Sequence, residues 1–214
     1  MKKLDFKKDK YVVIKDVLSK DFSDFLYKYL LLKRRIADTL YSKKTIQPKT
    51  LFSTFFGSYN DPQVPNTFSV YADPVMETLL VKLLPFMEKE TNLKLTPNYS
   101  YTRIYKNGDI LDRHKDRFSC EISTTLNLGG DIWPIYLEPS GKKNKKGIKI
   151  GLKPGDLLIY RGIELEHWRE PFEGTNCAQV FLHYNNKATK DSSKNLFDGR
   201  IHLGLPKIEQ FTND

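Results

Sequence analysis

Apolar residues recur along this chain with two different periods. In the N-terminal part they fall at helical spacing: Phe22, Phe25, Leu26, Tyr29 and Leu30 share one face, and Ser19 stands where an N-cap belongs. The basic run Lys33-Arg34-Arg35 suits the carboxyl end of that helix. A second stripe runs through Val75, Met76, Leu79, Leu80, Leu83, Leu84 and Met87, with Asp73 as cap and Pro74 in the first turn. Pro85, late in this stripe, predicts a bend. Ahead of both helices, "YVVIKDVLS" reads as a short strand and a turn. Residues 42–69 contain Pro48, Pro62 and Pro65 and read as a long loop, with short strands around "LFSTFF". Loops of this length inside a compact domain often act as lids.

From residue 95 the pattern becomes short, alternating and rich in β-branched and aromatic residues. "YSYTRIY", "CEISTTLNL", "WPIYLE", "GIKIGL", "DLLIYRG" and "AQVFLHYN" are strand-like. Turn signals separate them at Asn107-Gly108, Gly129-Gly130, Ser140-Gly141, Pro154-Gly155 and Gly174. Helices followed by a run of short strands predict an α+β fold, a sandwich or jelly roll with the N-terminal helices packed on one side. No repeat or linker divides the chain. A single domain over 1–214 is expected, with a helical part to about residue 94, strands over about 95–185 and a polar tail over 186–214.

Composition narrows the function. The chain has 214 residues, 13% aromatic and 29% charged, which suits a globular domain with a sizeable core. It has no apolar run long enough to span a membrane, and its N-terminus lacks the apolar core of a signal peptide, so a cytoplasmic protein with no membrane partner is expected. The two cysteines, Cys120 and Cys177, form no CxxC pair, which argues against a zinc-thiolate site or a disulfide framework. The net charge of +9 is partly local, in "KKLDFKKDK" and "GKKNKKGIK". Nucleic acid is a possible partner on that charge. Neither run interleaves aromatics with its lysines, so a solvated tail and hairpin tip are the favoured reading. Oligomeric state is not legible.

Candidate chemistry begins at "RIYKNGDILDRHKDRFSCEIS". An HxD alone is a weak signal. If residues 114–116 are extended, His114 and Asp116 leave the same face and can grip one ion. The chain has four histidines, and His167 follows a strand and turn in "PGDLLIYRGIELEHWRE", which suits a third ligand from a partner strand. Two histidines and one carboxylate leave open coordination positions, the arrangement expected of non-haem Fe(II) oxygenases. A catalytic zinc site more often closes toward a tetrahedron.

Residues 99–184 resemble the prolyl-hydroxylase-like branch of the Fe(II)/2-oxoglutarate-dependent dioxygenases. The resemblance rests on the order of "RIYKNGDILDRHKD", "STTLNLGGD", "KPGDLLIYRG" and the following His167. The chain is most similar to uncharacterised members found in bacteria and their phages. The resemblance implies a double-stranded β-helix (jelly-roll) core with iron held by His114, Asp116 and His167. It also implies a reaction in which O2 is activated, 2-oxoglutarate is decarboxylated to succinate and a C–H bond is hydroxylated. Tyr105 stands where this family commonly contacts 2-oxoglutarate through a tyrosine hydroxyl.

One family feature is missing. The strand after the distal histidine usually supplies a Lys or Arg for the distal carboxylate of 2-oxoglutarate. Here the inward face is expected to carry Cys177, Gln179, Phe181 and His183. Arg103, on the same face as Tyr105, and Arg169, two residues after His167, are equal candidates to replace the missing cation. Gln179 can donate a neutral hydrogen bond in either case, and Thr125 and Asn127 are further candidates for this pocket. Trp133 and Trp168 read as core or rim aromatics, and His183 as a satisfied core histidine. Arg117 either anchors an acidic substrate or braces Asp116 or Glu121. Glu164 and Glu166 lie on an exposed turn or orient His167. The expected substrate is a prolyl or other peptide residue, or a small molecule. A nucleic-acid demethylase and a non-catalytic jelly-roll module with a vestigial metal site are the alternatives.

Overall fold

The computed structural model describes residues 4–142 and 145–207, apart from the side chain of Phe52. Lys2 and Lys3 of the first basic run, Lys143 and Asn144 of the second, and residues 208–214 of the tail lie outside the described residues.

The helices are α1 (Phe6–Asp9), α2 (Lys20–Ser42), α3 (Leu51–Phe56) and α4 (Pro74–Thr91). The strands are β1 (Tyr11–Ile14), β2 (Phe68–Tyr71), β3 (Leu95–Lys106), β4 (Leu111–His114), β5 (Ile122–Gly130), β6 (Ile135–Glu138), β7 (Ile148–Ile150), β8 (Leu157–Arg161), β9 (Glu166–Arg169) and β10 (Asn176–Asn186). They form a six-stranded sheet in the order β1-β8-β5-β10-β3-β2 and a four-stranded sheet in the order β4-β9-β6-β7. Neighbours in both sheets pair antiparallel. This is the expected α+β jelly roll.

Alternation along the central strands separates two environments. On β10, Ala178, Val180, Leu182 and Tyr184 join Leu26 and Leu30 of α2 and Met76, Leu80 and Met87 of α4 in one apolar cluster. The Tyr184 hydroxyl donates to Leu80 O at 2.8 Å, tying strand to helix. The intervening Cys177 and Phe181 join Tyr105, Leu111, Trp133 and Phe172 in a second cluster. The period-two pattern of the sequence therefore places helices on one face of the large sheet and leaves the other face for a site.

Three local expectations change. The first helix continues past Lys33-Arg34-Arg35 to Ser42, because Ile36, Ala37 and Leu40 continue the helical pattern and no Gly or Pro follows before Pro48. Its buried face is Ser23, Leu26, Leu30 and Ala37, while Phe25 is 60% exposed. "LFSTFF" is helix α3, set by a capping box between Thr50 and Ser53 whose reciprocal bonds overcome the strand preference of its phenylalanines. Asp73 caps α4 as expected, and the helix carries Pro85 and runs on to Thr91. Among the described residues no helix is long and apolar enough to cross a membrane.

The polar tail is pinned to the fold. Arg200 Nη2 lies 2.6 Å from Glu77 Oε1 and Nη1 lies 3.2 Å from Oε2, with both side chains 2% exposed. Arg200 also donates to Asn98 O at 3.1 Å and Leu205 O at 2.6 Å. Removing one partner of a buried pair leaves the other uncompensated. Arg200→Ala is expected to lower stability by about 3–5 kcal/mol, and Glu77→Gln in the same chain to recover part of the loss. Urea unfolding of the two variants checks this.

Candidate active site

Strand pairing builds the centre of the site. His114 ends β4 and lies directly opposite His167 on β9. Asp116 follows two residues later, and its backbone N–H donates to Gly162 O at 2.9 Å. Asp116 Oδ1 is 3.7 Å from His114 Nε2 and 3.4 Å from His167 Nε2. The ligand-type atoms of the three residues all lie within 4.8 Å of one another. Each imidazole is turned by its other nitrogen: His114 Nδ1 lies 2.7 Å from Asp112 O, and His167 Nδ1 lies 3.0 Å from Leu165 O. A carbonyl accepts only from N–H, so in the neutral rings Nδ1 carries the proton and Nε2 the lone pair. Glu164 and Glu166 do not orient His167. Glu164 pairs with Lys10 and Arg161, and Glu166 with Arg113.

Asp116 is held from behind. Ser123 Oγ lies 2.7 Å from its Oδ2 and 3.0 Å from His183 Nδ1. A serine donating to the carboxylate accepts from His183, which fixes the histidine's tautomer. Gly162 packs so close that a Cβ there would collide with Asp116 Oδ2 and Cys120 O. His183 is therefore satisfied, as expected, through a chain that ends on a site carboxylate.

The electrostatics follow from this packing. Burial alone would raise the Asp116 pKa. His167, His183 and the Ser123 hydrogen bond outweigh it and hold the carboxyl well below the usual range. Burial and the neighbouring His167 charge push His114 down. Burial would also lower His167, but the Asp116 charge and hydrogen bond raise it. Burial pushes His183 down to about 4. It also pushes the Cys120 thiol, 3.0 Å from the Tyr99 hydroxyl, up to about 12, so it supplies no thiolate at neutral pH.

The three residues open into a chamber of about 800 Å³. Tyr99, Tyr101, Phe181 and His183 line it from the inner face of the large sheet. Residues 58–63, between α3 and β2, form its cover, so part of the loop expected as a lid borders the site. Gln63 Nε2 is 3.0 Å from His114 Nε2, and Gln63 Oε1 accepts from Arg103 Nη2 at 2.7 Å. Asp61 accepts from the Tyr101 hydroxyl at 2.6 Å and from Arg103 Nε at 3.0 Å. Asp61, Gln63 and Ser123 escaped sequence reasoning. Nothing local marks the first two, and Ser123 is one hydroxyl among several on β5.

The two candidate arginines differ. Arg103 borders the chamber and touches the Tyr105 hydroxyl at 3.3 Å, but Asp61 already neutralises it. Arg169 is 1% exposed and has no carboxylate partner among the described residues. Its guanidinium lies over the Trp133 ring at 5.0 Å, donates to Trp133 O, and approaches Thr125 Oγ1 at 3.3 Å. Its Nε has no partner. Thr125 donates to Gln179 Oε1 at 2.9 Å, and Gln179 Nε2 lies 3.1 Å from Cys177 Sγ. Asn127 turns away to Leu152 O. Trp133 is core, and Trp168 stacks on Tyr136. Arg117 braces neither Asp116 nor Glu121. It pairs with Asp198 of the tail and lies over Tyr99.

His167 has a raised pKa, and below that pKa a metal held here must displace its proton. Affinity for Co(II) is expected to fall about tenfold per pH unit below that pKa. It recovers above the pKa, where the imidazole is neutral. Ser123→Ala is expected to weaken Co(II) binding by about 10–100-fold with the fold retained. Calorimetric titration across pH checks both statements.

No protein-family model matches the sequence, and no match was found among the curated proteins. Solved structures are similar to it. A prolyl-4-hydroxylase from Pseudomonas putida superposes with a TM-score of 0.61 at 15% identity, over 86% of this chain and 96% of that one. HygX from Streptomyces hygroscopicus, with nickel, 2-oxoglutarate and hygromycin B bound, gives 0.60 at 14% identity, over 86% and 85%. The viral collagen prolyl hydroxylase of Paramecium Bursaria Chlorella virus-1, as a 2-oxoglutarate complex, gives 0.53 at 14%, over 83% and 97%. At such identities the likeness is one of fold, and the chain has the jelly-roll fold of prolyl-hydroxylase-like 2-oxoglutarate oxygenases.

Proposed function

We propose that this protein is an Fe(II)- and 2-oxoglutarate-dependent dioxygenase that hydroxylates a C–H bond. The observation that carries this reading is the His114, Asp116 and His167 cluster at the floor of a chamber. Two imidazole nitrogens and one carboxylate oxygen, with no thiolate, are the donor set suited to a non-haem iron with open positions. Bound there with 2-oxoglutarate and O2, iron supplies the oxidising chemistry. The chain's own residues supply the ligands, their orientation through Asp112 O, Leu165 O and Ser123, and a covered chamber.

Arg169 supports the co-substrate. A buried guanidinium is costly unless an anion compensates it. Arg169 has neutral partners, and its Nε has none, so the distal carboxylate of 2-oxoglutarate is the charge it lacks. Thr125 meets the guanidinium and bonds Gln179, and Tyr105 lies beside Trp133, over which the guanidinium sits. Arg103, already paired, serves to hold the cover.

Anaerobic addition of 2-oxoglutarate to the Fe(II)-loaded protein is expected to produce a visible charge-transfer band. The band should be absent in His167→Ala. Arg169→Ala should raise the 2-oxoglutarate dissociation constant about 30-fold or more, in line with a lost charge-assisted pair. Arg103→Ala should change it less. Iron binding without a band would defeat this reading in favour of a non-catalytic module.

A further inference from the structure

Beside the metal chamber lies a second hollow of about 370 Å³. Ser58, Asn60 and Tyr101 line both, so the two adjoin at the loop that follows α3. Among the described residues the second hollow is walled by lysine, serine, threonine, asparagine and tyrosine side chains, with no carboxylate. Lys49, before α3, enters from one element, and Lys207, in the C-terminal tail, enters from another.

The charges do not balance. Outside the triad, the described residues that wall the two hollows include the cations Lys49, Arg103, Lys115, Arg117 and Lys207 and a single carboxylate, Asp61. Asp61 is consumed by Arg103. Asp198, behind the wall, is shared between Arg117 at 3.1 Å and Lys207 at 2.8 Å, so one carboxylate serves two cations. Lys49 and Lys115 have no carboxylate partner among the described residues. Like charges gathered around a concave wall focus a positive potential into it. The side chains of Ser58 and Asn60, at the junction, make no hydrogen bond among the described residues and are free to bind hydroxyl groups. The volume suits a small molecule.

We propose that the substrate is a small polyhydroxylated anion, a sugar phosphate or sugar acid in type. Its acidic group sits in the second hollow against Lys49 and Lys207, and its hydroxyl groups meet Ser58 and Asn60. The carbon to be oxidised then lies on the triad side of the junction. The reaction assigned to this substrate rests on the oxygenase reading above; its binding does not.

The test measures binding without turnover. The full-length protein is titrated calorimetrically, metal-free and as the anaerobic Fe(II) form, with glucose 6-phosphate, gluconate, uncharged glucose and a neutral proline-rich peptide. Expected are binding of both anions, weakening as salt is raised, and glucose at least about tenfold weaker. Lys49→Glu, a change on an exposed loop, should weaken the anions about tenfold or more and leave glucose and thermal stability unchanged. Lys207→Gln should act in the same direction. His167→Ala should keep anion binding, so a failed iron or 2-oxoglutarate titration leaves this result standing. Equal binding of glucose, indifference to Lys49→Glu, or binding of the peptide in place of the anions would overturn the proposal.

Discussion

The site depends on the register between β4 and β9. That pairing sets His114 across from His167, and the bond from Asp116 N–H to Gly162 O brings the carboxylate between them. A slip of one residue would turn His167 to the other face and leave Trp168 in its place. The pairing is short, and its register shifts between Leu111 and His114. Its precision is supported from outside the ladder. Leu165 O and Asp112 O fix the rings, Ser123 fixes the carboxylate, and Gly162 leaves it room. Each support is a backbone group or a small side chain, so little conformational entropy is lost in placing it.

The large sheet has a different task on each face. Its helix side is apolar and gains stability from ordinary burial. Its inner side carries Arg103, Ser123, Thr125, Gln179 and His183, all buried. Polar groups there are tolerated because nearly all are bonded to one another, from Ser123 to His183 and from Thr125 to Gln179. A fold selected for stability alone would fill this layer with hydrocarbon. The polar network is the structural cost of a chamber that can hold charged ligands.

Much of this was legible in the sequence, for a definable reason. β3, β5, β8 and β10 declare themselves because each alternates between a helix-facing apolar side and an inner side, and α4 because its cap and stripe agree. The three triad residues stand out because two lie in one short motif and the third follows a strand and a Pro-Gly turn. What was misread or missed has two causes, one local and one long-range. "LFSTFF" is apolar enough for either state, and a hydroxyl cap, a local hydrogen-bond effect, decided for helix. Asp61 and Asp198 reach the site from a proline-bounded loop and from the tail. They are about 40 and 80 residues from the arginines they hold, and no periodicity encodes such a pairing.

On the proposed reading, Arg169 of β9 takes the part that the resemblance gives to a basic residue of β10. Cys177 and Gln179 on β10 face inward as the alternation requires, and neither bears a positive charge at neutral pH. Arg169 is two residues from His167, so it leaves β9 on the same face and enters the space between the sheets. From there its guanidinium meets Thr125 of β5, which in turn bonds Gln179 of β10. The cation thus reaches the neighbourhood that a long side chain from β10 would fill, but from the opposite sheet. On the proposed reading, what the co-substrate requires is a buried positive charge at a set place relative to the triad, and a residue of either sheet can deliver it.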